Sequence, residues 1–283
     1  MIGLEPCGRK LAFVERLFVR LQGGKVSQNY PFGLKPNLTP GAAVAGTGEG
    51  VWRLEIPAGA ERCYRLAQLD DYSSLARRSF PWVAPMNFEL RARASAGVIP
   101  GTWGFGLWND PFAMGVLTSV RGFRLPILPN AAWFFFASAP NYLSLQDDLQ
   151  AQGWLAATFC SPDRIYPLLA LGVPAITLLI FPPAARLLRR LASRIIKQDM
   201  FSLNVQTTDW HTYSIDWQVE EVSFRLDGEM AFKTSVVPNA PLGLVLWIDN
   251  QYAAFPPTGR IQYGKLANTE SAWIEIADLK VNK

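Results

Sequence analysis

The carboxylates best placed for acid–base chemistry are Asp70 and Asp71 in the stretch QLDDY, Asp110 in WNDPF and Asp249 in WIDNQY. Such chemistry needs paired titratable groups in a dry pocket. Asp110 and Asp249 each stand two residues after a tryptophan, at expected strand ends, where loops gather around a cleft. As Asp-Pro and Asp-Asn pairs they also read as turn formers. A carboxylate deep in a cavity shared with aromatic rings would favour an enzyme. His211 is the single histidine, so neither a histidine-cluster metal site nor a conventional Ser-His-Asp triad is expected, and His211 reads as structural. Glu89 and Arg91 share one strand face and read as a structural ion pair. Cys7, Cys63 and Cys160 are odd in number and widely spaced, which suggests neither a disulfide framework nor a zinc site. Residues 46–50, GTGEG, lack the lysine and following helix of a phosphate loop, and no cofactor is implied.

The elements that must position these groups are strands. VWRLEI (51–56) and ERCYRLAQLDDY (61–72) read as strands, with Pro57-Ala58-Gly59 turning one into the other. NFELRARAS, GTWGFGLW, AAWFFFAS and GWLAATF follow. Then come FSLNVQTT, HTYSIDWQ, EVSFRLDG, EMAFKTSV, LGLVLWIDN and SAWIEIADLKV, with Asp227-Gly228 a hairpin signal. About a dozen strands at short spacing predict an all-β antiparallel sandwich. Residues 1–50 read as an N-terminal extension, with a short helix over 11–21 and loop over 31–50. Residues 51–283 read as the sandwich domain, interrupted by an insertion at 164–198. The chain's 283 residues, 49% hydrophobic and 18% charged, suffice for a large core.

The insertion predicts a helical hairpin. Residues 165–181 carry no charge and would cover roughly 25 Å as a helix, near the ~30 Å of a bilayer's hydrocarbon. Strand-like sequence on both sides argues against a single crossing. The expected form is a shallow dip in which Leu168, Leu169, Leu171, Val173, Ile176, Leu178, Leu179, Ile180 and Phe181 meet lipid. After the corner at Pro182 and Pro183, an amphipathic return leg would hold Arg186, Arg189, Arg190, Arg194 and Lys197 toward headgroups. These five cations have no acid among them, and without them the net charge falls from +4 to −1. That distribution predicts an anionic membrane surface as partner and no nucleic acid. Without a signal-peptide pattern, the expected location is cytoplasmic, peripheral on the inner face of the membrane.

Residues 210–238, WHTYSIDWQVEEVSFRLDGEMAFKTSVVP, resemble a segment of glycoside hydrolase family 16 and its concanavalin A-like relatives. There a tryptophan and histidine open a strand, a second tryptophan ends it and an Asp-Gly hairpin follows. NFELRARASAGVIPGTWGFGLW and SAWIEIADLKV resemble further strands of that family. The resemblance implies a concanavalin A-like jelly roll. It also implies a strand bearing E-x-D-x-x-E or E-x-D-x-E after GTWGFGLW, two glutamates serving as nucleophile and acid/base. The strand here reads PNAAWFFFASAPN, and no carboxylate lies between Asp110 and Asp147. Conventional activity of that family is therefore not expected.

Both alternating sets of residues in the middle strands are apolar, so the cleft is apolar whichever set faces it. The candidates to line it are Trp103, Phe105, Trp108, Trp133, Phe135, Trp247 and Tyr252. Such a cleft beside a membrane-dipping hairpin predicts a peripheral membrane protein that binds a hydrophobic or lipid-linked small molecule. An enzyme acting on a lipid-like substrate through Asp110 or Asp249 is the first alternative, and a non-catalytic sugar-binding module the second. The oligomeric state is not legible.

Overall fold

A computed structural model describes residues 30–48, 50–111, 127–162 and 181–283. Two seven-stranded antiparallel sheets stack face to face. The front sheet runs, in spatial order, β1 (Lys35–Leu38), β4 (Leu66–Asp70), β13 (Gly243–Asp249), β6 (Thr102–Trp108), β7 (Ala131–Ala137), β8 (Gly153–Cys160) and β9 (Lys197–Leu203). The back sheet runs β12 (Glu229–Thr234), β11 (Val222–Leu226), β10 (His211–Trp217), β5 (Met86–Ala94), β16 (Ala272–Asn282), β3 (Val51–Ile56) and β2 (Ala43–Gly48). A small hairpin, β14 (Gln251–Ala254) with β15 (Gln262–Lys265), and, among the described residues, one α-helix, α1 (Pro182–Ile195), stand on the front sheet. This is the antiparallel sandwich that the strand pattern predicts, in the concanavalin A-like jelly-roll form that the resemblance implies.

Period-two alternation builds the core. In β5, Phe88, Leu90 and Ala92 are fully buried between the sheets while Glu89, Arg91 and Arg93 face outward. The front sheet answers with Trp103, Phe105, Phe134, Phe136, Leu244 and Leu246. Trp103 and Phe105, expected in the cleft, therefore point the other way, at 1% and 0% exposure. The strand register puts their set on the core side and the next residue of each pair on the outer side. Glu89 and Arg91 do not pair with each other; Lys280 binds Glu89 at 2.9 Å and Arg91 binds Asp278 at 3.4 Å, both across to β16.

Other expectations are displaced. Residues 35–48 form β1 and β2 instead of a loop, so the sandwich begins before residue 51. β1 is a mostly exposed edge strand that shows no alternation. β3 and β4 are not a hairpin, because they lie in opposite sheets. The chain crosses between them through a clamp in which buried Arg65 donates to the carbonyls of Ala60, Gly59 and Leu266. Asp227 and Gly228, at φ of 52° and 86°, do make the β11–β12 turn. Cys63 is disulfide-bonded, which its spacing does not suggest. The expected helix at 11–21 and the apolar leg at 165–180 lie outside the described residues, among which no helix is long and apolar enough to cross a membrane.

Candidate functional site

A cavity of about 700 Å³ opens on the outer face of the front sheet. Its floor is the second alternating set: Trp108, Trp133, Phe135, Phe159 and Trp247. Two glycines on the central strand make room for them. Gly104 pairs with Phe135 and Trp247, and Gly106 with Trp133 and Val245. A side chain at Gly104 would collide with the backbone at Phe134 and with the Trp247 ring. The indoles close into a box, with Trp133 and Trp247 centroids 5.5 Å apart and Trp108 and Trp247 6.5 Å apart and nearly parallel.

The helix α1 and the β14–β15 hairpin roof this floor. Prolines at the first positions of α1 suit a helix start, as expected of Pro182 and Pro183. Leu188, Ala192 and Ile196, four apart, face the cavity. Arg189 holds the roof together from the neighbouring face. It donates to the carbonyls of Ser144 at 2.7 Å, Phe255 at 2.6 Å and Gln146 at 3.1 Å, and pairs with Asp147 at 2.9 Å. At 3% exposure it cannot reach a headgroup, so this member of the expected cationic face is structural. Lys197 lies beyond the helix, opposite Cys160 in β9. Arg186, Arg190 and Arg194 are exposed beside Leu187 and Leu191, and Phe181, just before the helix, is 63% exposed.

At one end the cavity becomes polar. Asp249 ends β13 opposite Thr102. Its Oδ1 accepts from the Thr102 hydroxyl at 2.8 Å and the Gln251 amide at 3.3 Å, and its Oδ2 from the Tyr64 hydroxyl at 3.4 Å. The Trp247 indole N–H donates to the same threonine at 3.0 Å. Burial pushes the Asp249 carboxyl up to about 7, against the hydrogen bonds that hold it down. The same burial, with the nearby charge of Asp249, raises Tyr64 and Tyr263 above the ordinary phenol range.

The remaining carboxylates divide. Asp110 lines the cavity, at a φ of 49° that aspartate tolerates in turns, with its carbonyl held by Arg77 at 2.6 Å. From Thr102, opposite Asp249, to Trp108 is six residues, so Asp110 lies ~20 Å along the sheet from Asp249. Glycoside hydrolysis needs its two carboxyls within ~10 Å, and these two are not such a pair. Asp70 and Asp71 do not line the cavity. Asp70 accepts from the amides of Tyr72 and Ser73 and from Gln68, and Asp71 ties the Trp82 indole to the Leu244 amide. Both are spent on local structure. Burial raises Asp71 to about 6.

Of the residues the sequence nominates, the structure gathers Trp108, Trp133, Phe135, Trp247, Tyr252, Asp110 and Asp249 on one cavity and leaves Trp103, Phe105, Asp70 and Asp71 off it. The sequence nominates neither Thr102, Tyr64 nor Tyr263, and it puts Arg189 at lipid headgroups instead of in the roof. Thr102 had a signal, since it falls on the same alternating set as Trp108. Tyr64 lies outside any strand and has none. His211 bonds Asp227 at 2.7 Å and the Gln206 carbonyl at 3.2 Å, a structural strand-entry role. Among the described residues no three His, Cys, Asp or Glu side chains cluster as a metal site.

No family model and no curated protein matches the sequence. Solved structures do. A glycoside hydrolase family 16 endo-glucanase from Bacteroides ovatus is similar over 90% of this chain and 97% of its own, at 10% identity and a TM-score of 0.50. The β-glucanase of Bacillus licheniformis is similar over 90% and 95%, at 10% identity and a TM-score of 0.48. The fold is that of the Bacteroides ovatus endo-glucanase.

Proposed function

We propose that the protein binds a small amphiphilic molecule in the cavity and meets an anionic membrane surface with the outer face of α1. The observation that carries this is the lining: an aromatic floor and an aliphatic roof, with polar side chains gathered around Asp249, Thr102 and Tyr64 and a second carboxylate, Asp110, set apart from them. That division suits one apolar body and one polar head, whereas a polysaccharide needs an open groove with partners for each sugar hydroxyl. α1 supports the second half, because Leu187 and Leu191 are exposed between Arg186, Arg190 and Arg194 while Leu188 faces the cavity. A molecule leaving a bilayer beneath the helix would pass from one leucine face to the other. The disulfide at Cys63 argues for an oxidising compartment in place of the expected cytoplasm, and thiol alkylation in intact cells tests it.

Two measurements test the proposal. Protein soaked in a lipid extract and washed should carry a bound molecule into native mass spectrometry, and should lose it when Leu188 and Ala192 are changed to tryptophan. Flotation with anionic liposomes should fall at least fivefold in the double variant Leu187→Glu, Leu191→Glu. An empty cavity after soaking, together with retention on an immobilised β-glucan, would replace this reading by the sugar-binding one.

A second reading has one observation in its favour. Asp249 is a carboxylate buried in the aromatic cavity and able to exchange a proton near neutral pH. It could serve as a lone acid/base toward a bound lipid-like substrate, with Tyr64 beside it. Turnover of any extract component by the native chain, abolished by Asp249→Asn, would establish it. Binding is placed first because, among the described residues, no second carboxylate of the cavity stands at pairing distance from Asp249.

A further inference from the structure

The polar groups around Asp249 are spent on one another. The carboxylate accepts from the hydroxyl and the amide of Thr102, the Gln251 amide and the Tyr64 hydroxyl, and the Thr102 hydroxyl accepts in turn from the Trp247 indole. An open partner for a ligand's head lies one alternation along the sheet. Ala67 and Leu69 of β4 turn into the core, and Gln68 between them lines the cavity at 9% exposure. The register sets Asn37, Gln68, Trp247, Gly104 and Phe135 side by side across five neighbouring strands.

Gln68 has used its donors and kept its acceptor. Its Nε2 donates to Asp70 Oδ2 at 2.9 Å and to the Tyr72 hydroxyl at 3.3 Å. A flipped amide would set oxygen against the Asp70 carboxylate, so the Asp70 contact fixes this orientation. Oε1, on the other arm of the amide, accepts from no described residue. It is not one of the fully buried polar atoms left without a partner, so it keeps accessible surface, and Gln68 lines the cavity. A buried acceptor without a donor is costly, and a ligand that donates to it relieves the cost. Asn37 stands directly opposite on β1, lines the same cavity and makes no side-chain hydrogen bond with a described residue. Opposed residues of an antiparallel pair hold their Cβ atoms ~5 Å apart on one face, so a single head group reaches both amides.

We propose that Gln68 Oε1 and the Asn37 amide form the head-group subsite of the cavity, and that it selects an uncharged group that both donates and accepts, a hydroxyl or a primary carboxamide. The head donates to Gln68 Oε1 and accepts from Asn37 Nδ2. The apolar tail runs over Trp247 toward Phe135, three strand spacings or ~14 Å from Gln68. The Trp247 ring leans across Gly104, where any side chain would collide with it, and joins the two ends with an apolar track. A carboxylate head would set oxygen against oxygen at Gln68, and an ether or ester would leave Oε1 unanswered. This rests on the amphiphile reading above and names the head that reading leaves open.

The experiment compares decanol, decanamide, decyl methyl ether and decanoate, which share one tail, by the change in tryptophan fluorescence at neutral pH and below aggregation. Decanol, decanamide or both should bind roughly tenfold more tightly than the ether, with decanoate weakest. Gln68→Met, similar in shape and without an amide, should remove that advantage and leave the affinity for the ether within about twofold. If that variant does not fold, the head-group order on the native chain decides. Equal affinity for alcohol, amide and ether, a preference for decanoate, or an advantage that survives in a folded Gln68→Met chain overturns the subsite and leaves the amphiphile reading standing. Binding of none of the four removes both.

Discussion

On one face of β6 and β7, Trp103, Phe105, Phe134 and Phe136 are pressed against the back sheet; on the other, Trp108, Trp133 and Phe135 look into the cavity. The residue types are the same and so is the backbone that carries them. What differs is the neighbour across the gap. The inner rings meet another sheet, and Phe134 lies edge-on to Phe224 at 5.2 Å. The outer rings meet a helix and a hairpin that stand off far enough to leave about 700 Å³. An apolar residue is therefore core or site according to what covers it.

Truncation on the two faces separates them most strongly. Phe134→Ala should cost about 3–5 kcal/mol, because a fully buried ring leaves a void the sheets cannot close. Trp133→Ala, on the cavity side, should cost roughly 1–2 kcal/mol, since space already adjoins it, while abolishing ligand binding. Urea unfolding of both variants checks the difference; equal losses would mean that the cavity face is packed as core. Next in size is Gly106→Ala. At φ 148° its Cβ would stand 2.5 Å from the Ala132 carbonyl and 2.6 Å from the Trp133 Cα. We expect a loss on the order of 2–3 kcal/mol and disturbed tryptophan fluorescence, as the floor shifts to admit a methyl group.

A titration divides the two faces in another way. Asp249 has a folded pKa of about 7 and Asp71 of about 6, both above the ordinary 3.8. A carboxyl raised on folding binds protons more readily in the native state. Its ionisation therefore costs stability as pH rises from the unfolded pKa to the folded one, and the cost levels off above it. The empty protein should lose on the order of 1–3 kcal/mol between pH 4 and pH 7.5 from Asp249 alone. Asp249→Asn should remove that slope and keep the smaller one from Asp71. A melting series that is flat in the native chain would show Asp249 ionised and compensated.

The smallest effect is expected on the back sheet's outer surface, where Glu275 receives Arg53 at 2.6 Å and Arg93 at 2.7 Å. Burial raises its carboxyl, but hydrogen bonds from Arg53 and Arg93 and their charges outweigh that and hold it below the ordinary value. Its contribution is present above the usual glutamate range and is lost as pH falls through the folded pKa. With both arginines over a third exposed by side chain or near it, the net effect is about 1 kcal/mol or less. Glu275→Gln should flatten the loss of stability below about pH 4.5, where glutamate titrates, and leave the cavity's ligand binding untouched.

Legibility in the sequence follows the same comparison. In β5, β10 and β16 polar residues alternate with apolar ones, so the strands and their inward faces can be read directly. In β6, β7 and β13 both sets are apolar, and nothing local distinguishes Trp103 from Trp108 or Phe134 from Phe135. The Arg189 clamp was hidden for a related reason. Arg186, Arg189, Arg190 and Arg194 form one cationic stretch, and only the approach of residues 144–147 and 255 selects the buried one. Nothing local separates Asp70 and Asp71 from Asp249, because a carboxylate that caps a turn and one that lines a cavity are the same residue type at the same kind of strand end.

Sequence by itself determined the all-β sandwich, most of its strands, the amphipathic helix after Pro182 and Pro183, and the absence of carboxylates between Asp110 and Asp147. Each of these depends on spacing along a single segment, which the two-residue and 3.6-residue periods convert directly into structure. Only the tertiary structure decided which aromatic face became the cavity, that Asp249 and not Asp70 or Asp71 entered it, and that Arg189 turned inward. Those choices depend on what distant segments place across a gap, and side-chain type carries no record of its future neighbour.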